Sequence, residues 1–464
     1  MRRLIMVSVV FLAGCATFSE DGGFDRVEKA VAERGAGRAQ WVRTEEAANS
    51  VRARVKELLG QPLSAEGAVQ IALLNNPGLQ ARYADLGIAE ADLVQASRWS
   101  GPKLSFARLT RGDEIERETS VFFDVLGLLS IPLSTKAQEK RFAAAQHRAS
   151  EEALNLALAA RKAWFGAVAA QQTEKYMEDV HLAAEASADL ARRMAEVGNW
   201  PLLTRAREQA FYADATAQLA RARQAQIAAR ERLTRLLGLW GEDLGYVLPE
   251  RLPDLPAAVR EGGELEAQAL RQRLDVQAAR GDAESLAATL GLTRVTRYVD
   301  LVEVGALRST ETGQEVKRGW ELELRIPIFD FGSARAARAE HRYMQAVNRA
   351  ADTAIRARSE VRESYAAYRT AFDIARHYRD EIVPLRKRIS DEMLLRYNGM
   401  LSSVFELLAD SRSAVASVNA YLEAQRDFWV AEADLQMALT TGSPGAMPSA
   451  APSMAPAGGA PAAH

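Results

Sequence analysis

Leu129-Ser-Ile-Pro-Leu133 returns about two hundred residues later as Leu324-Arg-Ile-Pro-Ile328. Each copy reads as the close of a strand-like segment and the start of a helical run of roughly sixty residues or more. The runs end in matching turns, Val197-Gly198-Asn199 and Asn398-Gly399-Met400, and a second helix of about forty residues follows each. Upstream, Pro77-Gly-Leu-Gln-Ala81 stands where Leu274-Asp-Val-Gln-Ala278 stands in the second copy. The repeated unit is therefore helix, β-hairpin, very long helix and return helix. A long internal repeat sets the fold before any local motif does, and this one is not how a soluble enzyme is usually built.

Trp320-Glu-Leu-Glu-Leu-Arg-Ile326 is the clearest strand. Trp320, Leu322, Leu324 and Ile326 point one way, and Glu321, Glu323 and Arg325 the other. Strict alternation marks a strand with lipid or core on one side and water on the other. Val121, Phe123, Val125, Leu129 and Ile131 make a similar face, blurred by Phe122, Leu126 and Leu128. Lys103–Leu109 and Val295–Ala306 are the expected partner strands, with charged loops over Arg111–Glu118 and Ser309–Lys317. Four strands cannot close a membrane barrel, because the smallest need about eight. Either several copies share one barrel, or there is none.

A reason to share lies in the second long helix, expected over Ser333–Asn398. Val347, Ala354, Val361, Tyr368, Ala375, Ile382 and Ile389 recur at heptad spacing. Ala350, Ala357, Ser364, Ala371, Tyr378 and Leu385 follow three residues on. All but Ser364 suit a coiled-coil seam, and the alanines allow close approach of neighbouring helices. Pro384 should bend or loosen the helix, since it removes a backbone donor. Ser134–Val197, the first long helix, carries no proline.

Arg2 and Arg3 precede an apolar stretch, Leu4–Ala13, too short to span a bilayer as a mature helix. This reads as a signal peptide over residues 1–14. It ends in Leu12-Ala13-Gly14-Cys15, which is similar to the bacterial lipobox, so Cys15 is the expected acylation site and membrane anchor. Cys15 is the chain's 1 cysteine, which excludes an intrachain disulfide and a thiolate metal cluster. The 464 residues carry 59 basic and 61 acidic side chains, a net charge of −2, with no basic tract interleaved with aromatics; no nucleic-acid partner is expected. Beyond the leader no apolar run is long enough for a transmembrane helix, so any crossing must be a closed β-barrel. The lead-in covers residues 15–62, the first repeat 63–238, a proline-bearing linker 239–263, the second repeat 264–442, and an Ala/Pro/Gly-rich tail, expected to be disordered, 443–464.

Together these marks resemble the TolC-like outer-membrane efflux family, and its lipid-anchored branch more closely. They are Ala72-Leu-Leu-Asn-Asn-Pro77, the two Ile-Pro steps, Phe329-Asp-Phe-Gly332, Ile382-Val-Pro384 and Tyr397-Asn-Gly-Met-Leu-Ser402, spread over about Leu63 to Gly442. The resemblance implies a mainly α fold with a β-barrel part. It implies a homotrimer whose twelve-stranded barrel lies in outer-membrane lipid above an α-helical periplasmic tunnel, with an equatorial belt that includes the linker. It implies a passive channel component of a tripartite efflux or secretion system, docked to a periplasmic adaptor and an inner-membrane pump. The docking tips would be Val197, Gly198, Asn199 and Trp200 with Asn398, Gly399, Met400 and Leu401, where Trp200, Met400 and Leu401 are expected to be exposed and each glycine to take a positive φ. The barrel lumen would hold Glu321, Glu323 and Arg325, a mixed set that implies weak ion selectivity. Family members often carry aperture carboxylates where this chain has Phe405 and Leu408. Glu406 and Asp410 lie nearby on one helical face, so either they form the constriction or the closed end is apolar.

Catalytic chemistry is nearly absent from the sequence. His147, His181, His341, His377 and His464 are scattered, and no HExxH or phosphate-binding glycine loop occurs. No enzyme activity, cofactor or metal is expected. The competing reading is a lipid-anchored periplasmic scaffold or adaptor without a pore, against which two hairpins, each preceded by a strand pair, argue. The cargo, whether drug, metal, solvent or polypeptide, is not written in the sequence.

Overall fold

Asp124 decides where the first long helix begins. Its carboxylate accepts the Gly127 N–H at 2.7 Å and caps the helix α5, Val125–Glu196. A Cβ at Gly127 would meet the Asp124 carboxylate and displace this cap. Leu129–Leu133 is therefore helical, with Pro132 inside the helix, and does not close a strand as its repeat partner suggested. Val125, Leu129 and Ile131 leave the expected strand face with it. At 72 residues α5 runs for about 100 Å. Its buried side is rich in alanine, from Ala137 to Ala191, and helices pack closely against it.

The structure is a computed structural model that describes residues 17–299 and 301–442, apart from the side chain of Phe405. Cys15, the leader and the tail 443–464 lie outside the described residues. Two short helices, α1 (Asp25–Glu33) and α2 (Glu45–Leu59), open the chain. The first half continues through α3 (Ala65–Asn75), α4 (Pro77–Ala96), β1 (Lys103–Arg111), β2 (Glu114–Asp124), α5 and α6 (Leu202–Leu237). The second half repeats the order with α7 (Leu265–Gln272), α8 (Leu274–Val295), β3 (Leu301–Glu311), β4 (Lys317–Arg325), α9 (Ser333–His377), α10 (Val383–Asn398) and α11 (Val404–Thr440). Val295 thus ends a helix and lies outside the strand expected to start there. Arg111 and Glu114–Glu118 extend the first hairpin and Ser309–Glu311 the second, so both connecting loops are shorter than their charge suggested.

Between α9 and α10 a π-helical turn covers Tyr378–Ile382, and the Val383 N–H reaches back to the Tyr378 carbonyl. Pro384, just beyond, has no N–H to give, and the widened turn absorbs the missing bond while the helix continues. The expected loosening is present. The heptad seam is inward-facing at Ala357, Val361, Tyr368 and Ala375 but exposed at Leu385, and α10 buries nothing.

The strands form one antiparallel sheet in the order β1-β2-β3-β4, so the two hairpins join through β2 and β3. The halves also meet along α5 and α8, where Ser285 donates to the Ala137 carbonyl, and around the middle of the long helices. Phe165 of α5 stacks on Trp429 of α11 with centroids 5.1 Å apart. The linker wraps this level: the Pro249 carbonyl accepts from Gln171, and the Pro253 carbonyl from Gln425 and Trp429. Leu248, Leu252 and Leu255 are buried along it. The lead-in packs Val27 and Val31 into a core with Tyr83 and Leu154.

Candidate functional site

In the sheet, pairing register fixes which side chains share a face. Leu104 stands opposite Val121, Val121 opposite Ala306, and Ala306 opposite Trp320. Phe123, Val304 and Leu322 make the next row. Apart from half-buried Val121 these side chains are exposed, Trp320 by 78 % and Leu322 by 48 %, as is Phe106 by 73 %; towards the hairpin turns the same face carries Arg108, Arg117, Arg308 and Arg318. The opposite face is polar and partly enclosed. Phe122 covers Gly305 there, where a Cβ would collide with its ring, and Ser120 and Ser309 are buried. This is the reverse of a soluble sheet, which hides its apolar side.

Glu321, Glu323 and Arg325 all lie on the polar face, as the alternation of β4 predicts. Their neighbours were not legible in the sequence. Asp124, Glu303 and Glu323 stand in one row across β2, β3 and β4. Lys103 crosses from the edge strand, with Nζ 5.4 Å from the Phe122 ring centre, 3.5 Å from Glu303 and 3.9 Å from Glu323. The row is net acidic rather than evenly mixed. Among the described residues the sheet also has two open edges, since β1 pairs only with β2 and β4 only with β3.

At the far ends of the long helices the two turns have the same construction. Asn199 donates to the Met194 carbonyl at 2.9 Å, and Leu401 to the Arg396 carbonyl at 2.8 Å. These are the closing bonds of Schellman caps, whose preceding residue must be left-handed. In the first turn that residue is Gly198, φ 77°. In the second it is Met400, φ 58°, while Gly399 has an ordinary φ of −79°. The positive φ expected at Gly399 is thus carried by its neighbour. Val197, Met400 and Leu401 are exposed, Met400 by 94 %. Trp200 is half-buried rather than exposed; the apolar surface of the first tip comes from Leu202 and Leu203 instead.

Beyond the second turn, Ser403 caps α11. Its hydroxyl accepts the Glu406 N–H, and the Glu406 carboxylate accepts the Ser403 N–H at 3.0 Å and the Ser402 hydroxyl at 2.5 Å. The Ser402 bond, then the Ser403 N–H, holds the Glu406 carboxyl below its usual range. Glu406 is exposed and occupied as a cap, whereas one carboxylate oxygen of Asp410 is buried without a partner. The two acids sit four apart on α11 in different surroundings, and Leu408 is half-buried. Two residues on, Arg412 reaches the buried Glu208 of α6 at 2.9 Å and lies over the Phe211 ring at 4.3 Å. Ser187 of α5 donates to the same carboxylate at 2.9 Å. This cluster ties the start of α11 to the first hairpin.

With that geometry in hand, solved structures supply the comparison. The Vibrio cholerae outer membrane protein VceC superposes with a TM-score of 0.67 at 17% identity, over 84% of this chain and 97% of VceC. The Campylobacter jejuni CmeC outer membrane channel gives 0.67 at 15% identity, over 89% and 91%. The Neisseria gonorrhoeae MtrE outer membrane channel, in its open state, gives 0.65 at 18% identity, over 84% and 89%. This chain has the fold of the TolC-like outer-membrane channels. No family model matches the sequence, and a search of curated proteins finds no match.

Within the TolC-like fold the titratable groups are dispersed. No helix among the described residues is long and apolar enough to cross a membrane, and no group of three or more His, Cys, Asp or Glu is placed to hold a metal. His147 is pushed down by burial and by Arg26 and Arg34. His181 lies against Tyr212, and His377 is 3.3 Å from Glu381. His341 is exposed, and His464 lies outside the described residues. Burial pushes the Glu151 carboxyl up to about 8, helped by Asp275 and Glu152 and opposed by Arg273 and Arg148.

Proposed function

We propose that the chain is the outer-membrane channel of a tripartite efflux or secretion system, a passive conduit and not an enzyme. The observation that carries the reading is the inverted sheet, apolar on its exposed face next to the helices, polar on its enclosed face and open at both edges. An unpaired apolar edge strand invites association. In a trimer β4 of one copy pairs with β1 of the next, and twelve strands close. Strands of 9 to 11 residues match the length that spans a bilayer when tilted. The apolar face then meets lipid, and Phe329, 99 % exposed below the sheet, meets the interface. The acidic row of Asp124, Glu303 and Glu323, repeated by symmetry, favours cations at the periplasmic end of the barrel lumen.

Below the sheet the long helices of three copies form the tunnel, with exposed Leu385 and Ile389 of α10 covered by neighbouring helices. The tips, Val197–Trp200 and Asn398–Leu401, dock the periplasmic adaptor, which connects to an inner-membrane pump. Cys15 carries the lipid anchor. Its substitution, Cys15→Ala, should abolish labelling by a palmitate analogue; labelling that persists removes the anchor from the reading.

Leu322→Arg tests the barrel. It sets a charge against lipid at a cost of roughly 2–4 kcal/mol per protomer near the bilayer midplane. Glu323→Arg on the opposite face should assemble normally. The readout is the yield of heat-labile trimer on unheated gels of outer-membrane extract. Equal yields from the two variants would mean that this face does not meet lipid.

A further inference from the structure

At the equator a cavity of about 300 Å³ opens between the two halves of the chain. Its polar wall comes from Arg34 after α1, Arg161 of α5, Arg260 of the linker, Gln272 of α7, and Gln436 and Thr440 of α11. Leu154, Leu158 and Leu439 form an apolar floor. Three arginines from three separate segments line one small space.

Their partners leave that charge largely unspent. Arg34 is held by the carbonyls of Ala30 and Gln272, at 3.0 and 3.1 Å, and its Nε is buried with no acceptor. Arg161 donates to the Gln436 side chain at 3.3 Å, and its nearest carboxylate, Glu66, is 3.9 Å away and mostly exposed. The Arg260 guanidinium has no hydrogen-bond or ion-pair partner among the described residues. Half-buried Glu432, nearby, is occupied by Gln436, which donates to it at 2.5 Å. Its carboxyl is raised by burial, with Arg161 and Arg260 pulling the other way. A planar guanidinium pairs best with a carboxylate or phosphate, two oxygens at a time. The space is at the small end of ligand pockets, room for about ten waters.

We propose that this cavity binds a small organic oxyanion, a carboxylate or phosphate monoester with a short apolar part, and that the bound anion bridges the two halves of one protomer. The oxyanion lies among Arg34, Arg161 and Arg260, and the apolar part rests on the leucine floor. Lead-in, α5, linker, α7 and α11 all contribute, so the ligand adds a polar tie to segments that already share apolar cores. The site is independent of whether the chain forms a channel.

The test uses the full-length protein extracted in neutral detergent, titrated calorimetrically with glycerol 3-phosphate, succinate or inorganic phosphate against sodium chloride of equal ionic strength. We expect saturable binding of at least one organic anion and a raised heat-dissociation midpoint. The stronger of glycerol 3-phosphate and succinate names the phosphate or the carboxylate as the preferred group. Arg260→Gln should weaken binding at least tenfold and leave the ligand-free midpoint unchanged, because Arg260 is exposed and unpaired. Arg161→Gln should weaken it similarly. Absence of saturable binding by all three probes overturns the site, as does wild-type affinity in Arg260→Gln.

Discussion

The two return helices end at the equator in different chemistry. In the first half Asn75 donates to the carbonyls of Leu237 and Gly238, and Asn76 to that of Leu236, so neutral amides cap α6. In the second half Arg273, 1 % exposed, donates to the Ala438 carbonyl near the end of α11. It also pairs with Asp275 at 2.6 Å and Glu360 at 2.7 Å, so burial alone would lower its pKa but the paired acids raise it. The glycines at these ends fit their caps. A Cβ on Gly238 would strike the Asn75 carbonyl, and one on Gly442 the Arg273 guanidinium. One fold position is thus held by hydrogen bonds that can be lost singly, the other by a buried charge cluster that fails as a unit.

That contrast predicts the largest effect. Arg273→Ala takes the buried cation away from Asp275 and Glu360, and removing one partner of a buried pair costs about 3–5 kcal/mol. Asn76→Ala loses one bond to α6 and the cap it provides to the Leu79 N–H, about 1–2 kcal/mol. Heat dissociation of the detergent-extracted protein should therefore fall much further for Arg273→Ala. Equal losses would show that the two ends are energetically alike despite their chemistry.

How much of this was legible follows the range of the interaction. The alternation of β4 needs only near neighbours, and Glu321, Glu323 and Arg325 fall where it puts them. The row that joins Asp124 to Glu303 needs a register set between strands far apart in sequence, so the acidic bias stayed hidden. Leu126–Ile131 is an apolar run that suits strand or helix equally. The Asp124 cap onto Gly127 decides it, and in the second half Phe331 and Gly332, both with positive φ, delay the helix to Ser333. The same kind of local detail separates Arg273 from Asn76. The alignment of the two copies showed matching positions but not matching chemistry.

Lower down, the hairpins differ again. The first buries Met177, Val180, Ala184, Ala215 and Leu219 between its own helices, whereas α10 buries no residue. The second hairpin leans on the first through Arg412, Glu208 and Ser187. Glu208→Ala removes a charge-assisted bond of about 1.5–3 kcal/mol. Amide exchange over Val404–Arg412 should accelerate by about tenfold or more, with little change over Met177–Ala184. Unchanged exchange in both segments would mean that the second hairpin holds its place without this tie.

The smallest effect separates the two turn glycines, which the repeat makes look equivalent. Gly198 is left-handed, and an L side chain there costs about 1 kcal/mol. Gly399 has φ −79°, and its added Cβ would meet nothing closer than the Leu395 carbonyl at 3.4 Å. Replacing a glycine in such a conformation stabilises by about 0.4–1 kcal/mol, because the unfolded chain loses freedom. Gly198→Ala should thus lower the heat-dissociation midpoint slightly and Gly399→Ala leave it level or raise it. Gly399→Asp then becomes the cleaner probe of docking, since it adds charge beside exposed Met400 and Leu401 without straining the turn. Loss of adaptor cross-linking in Gly399→Asp, with stability intact, places the contact at this tip. Cross-linking at the wild-type level would move it to the flanks of the hairpins, and a destabilised Gly399→Ala would return the left-handed role to the glycine.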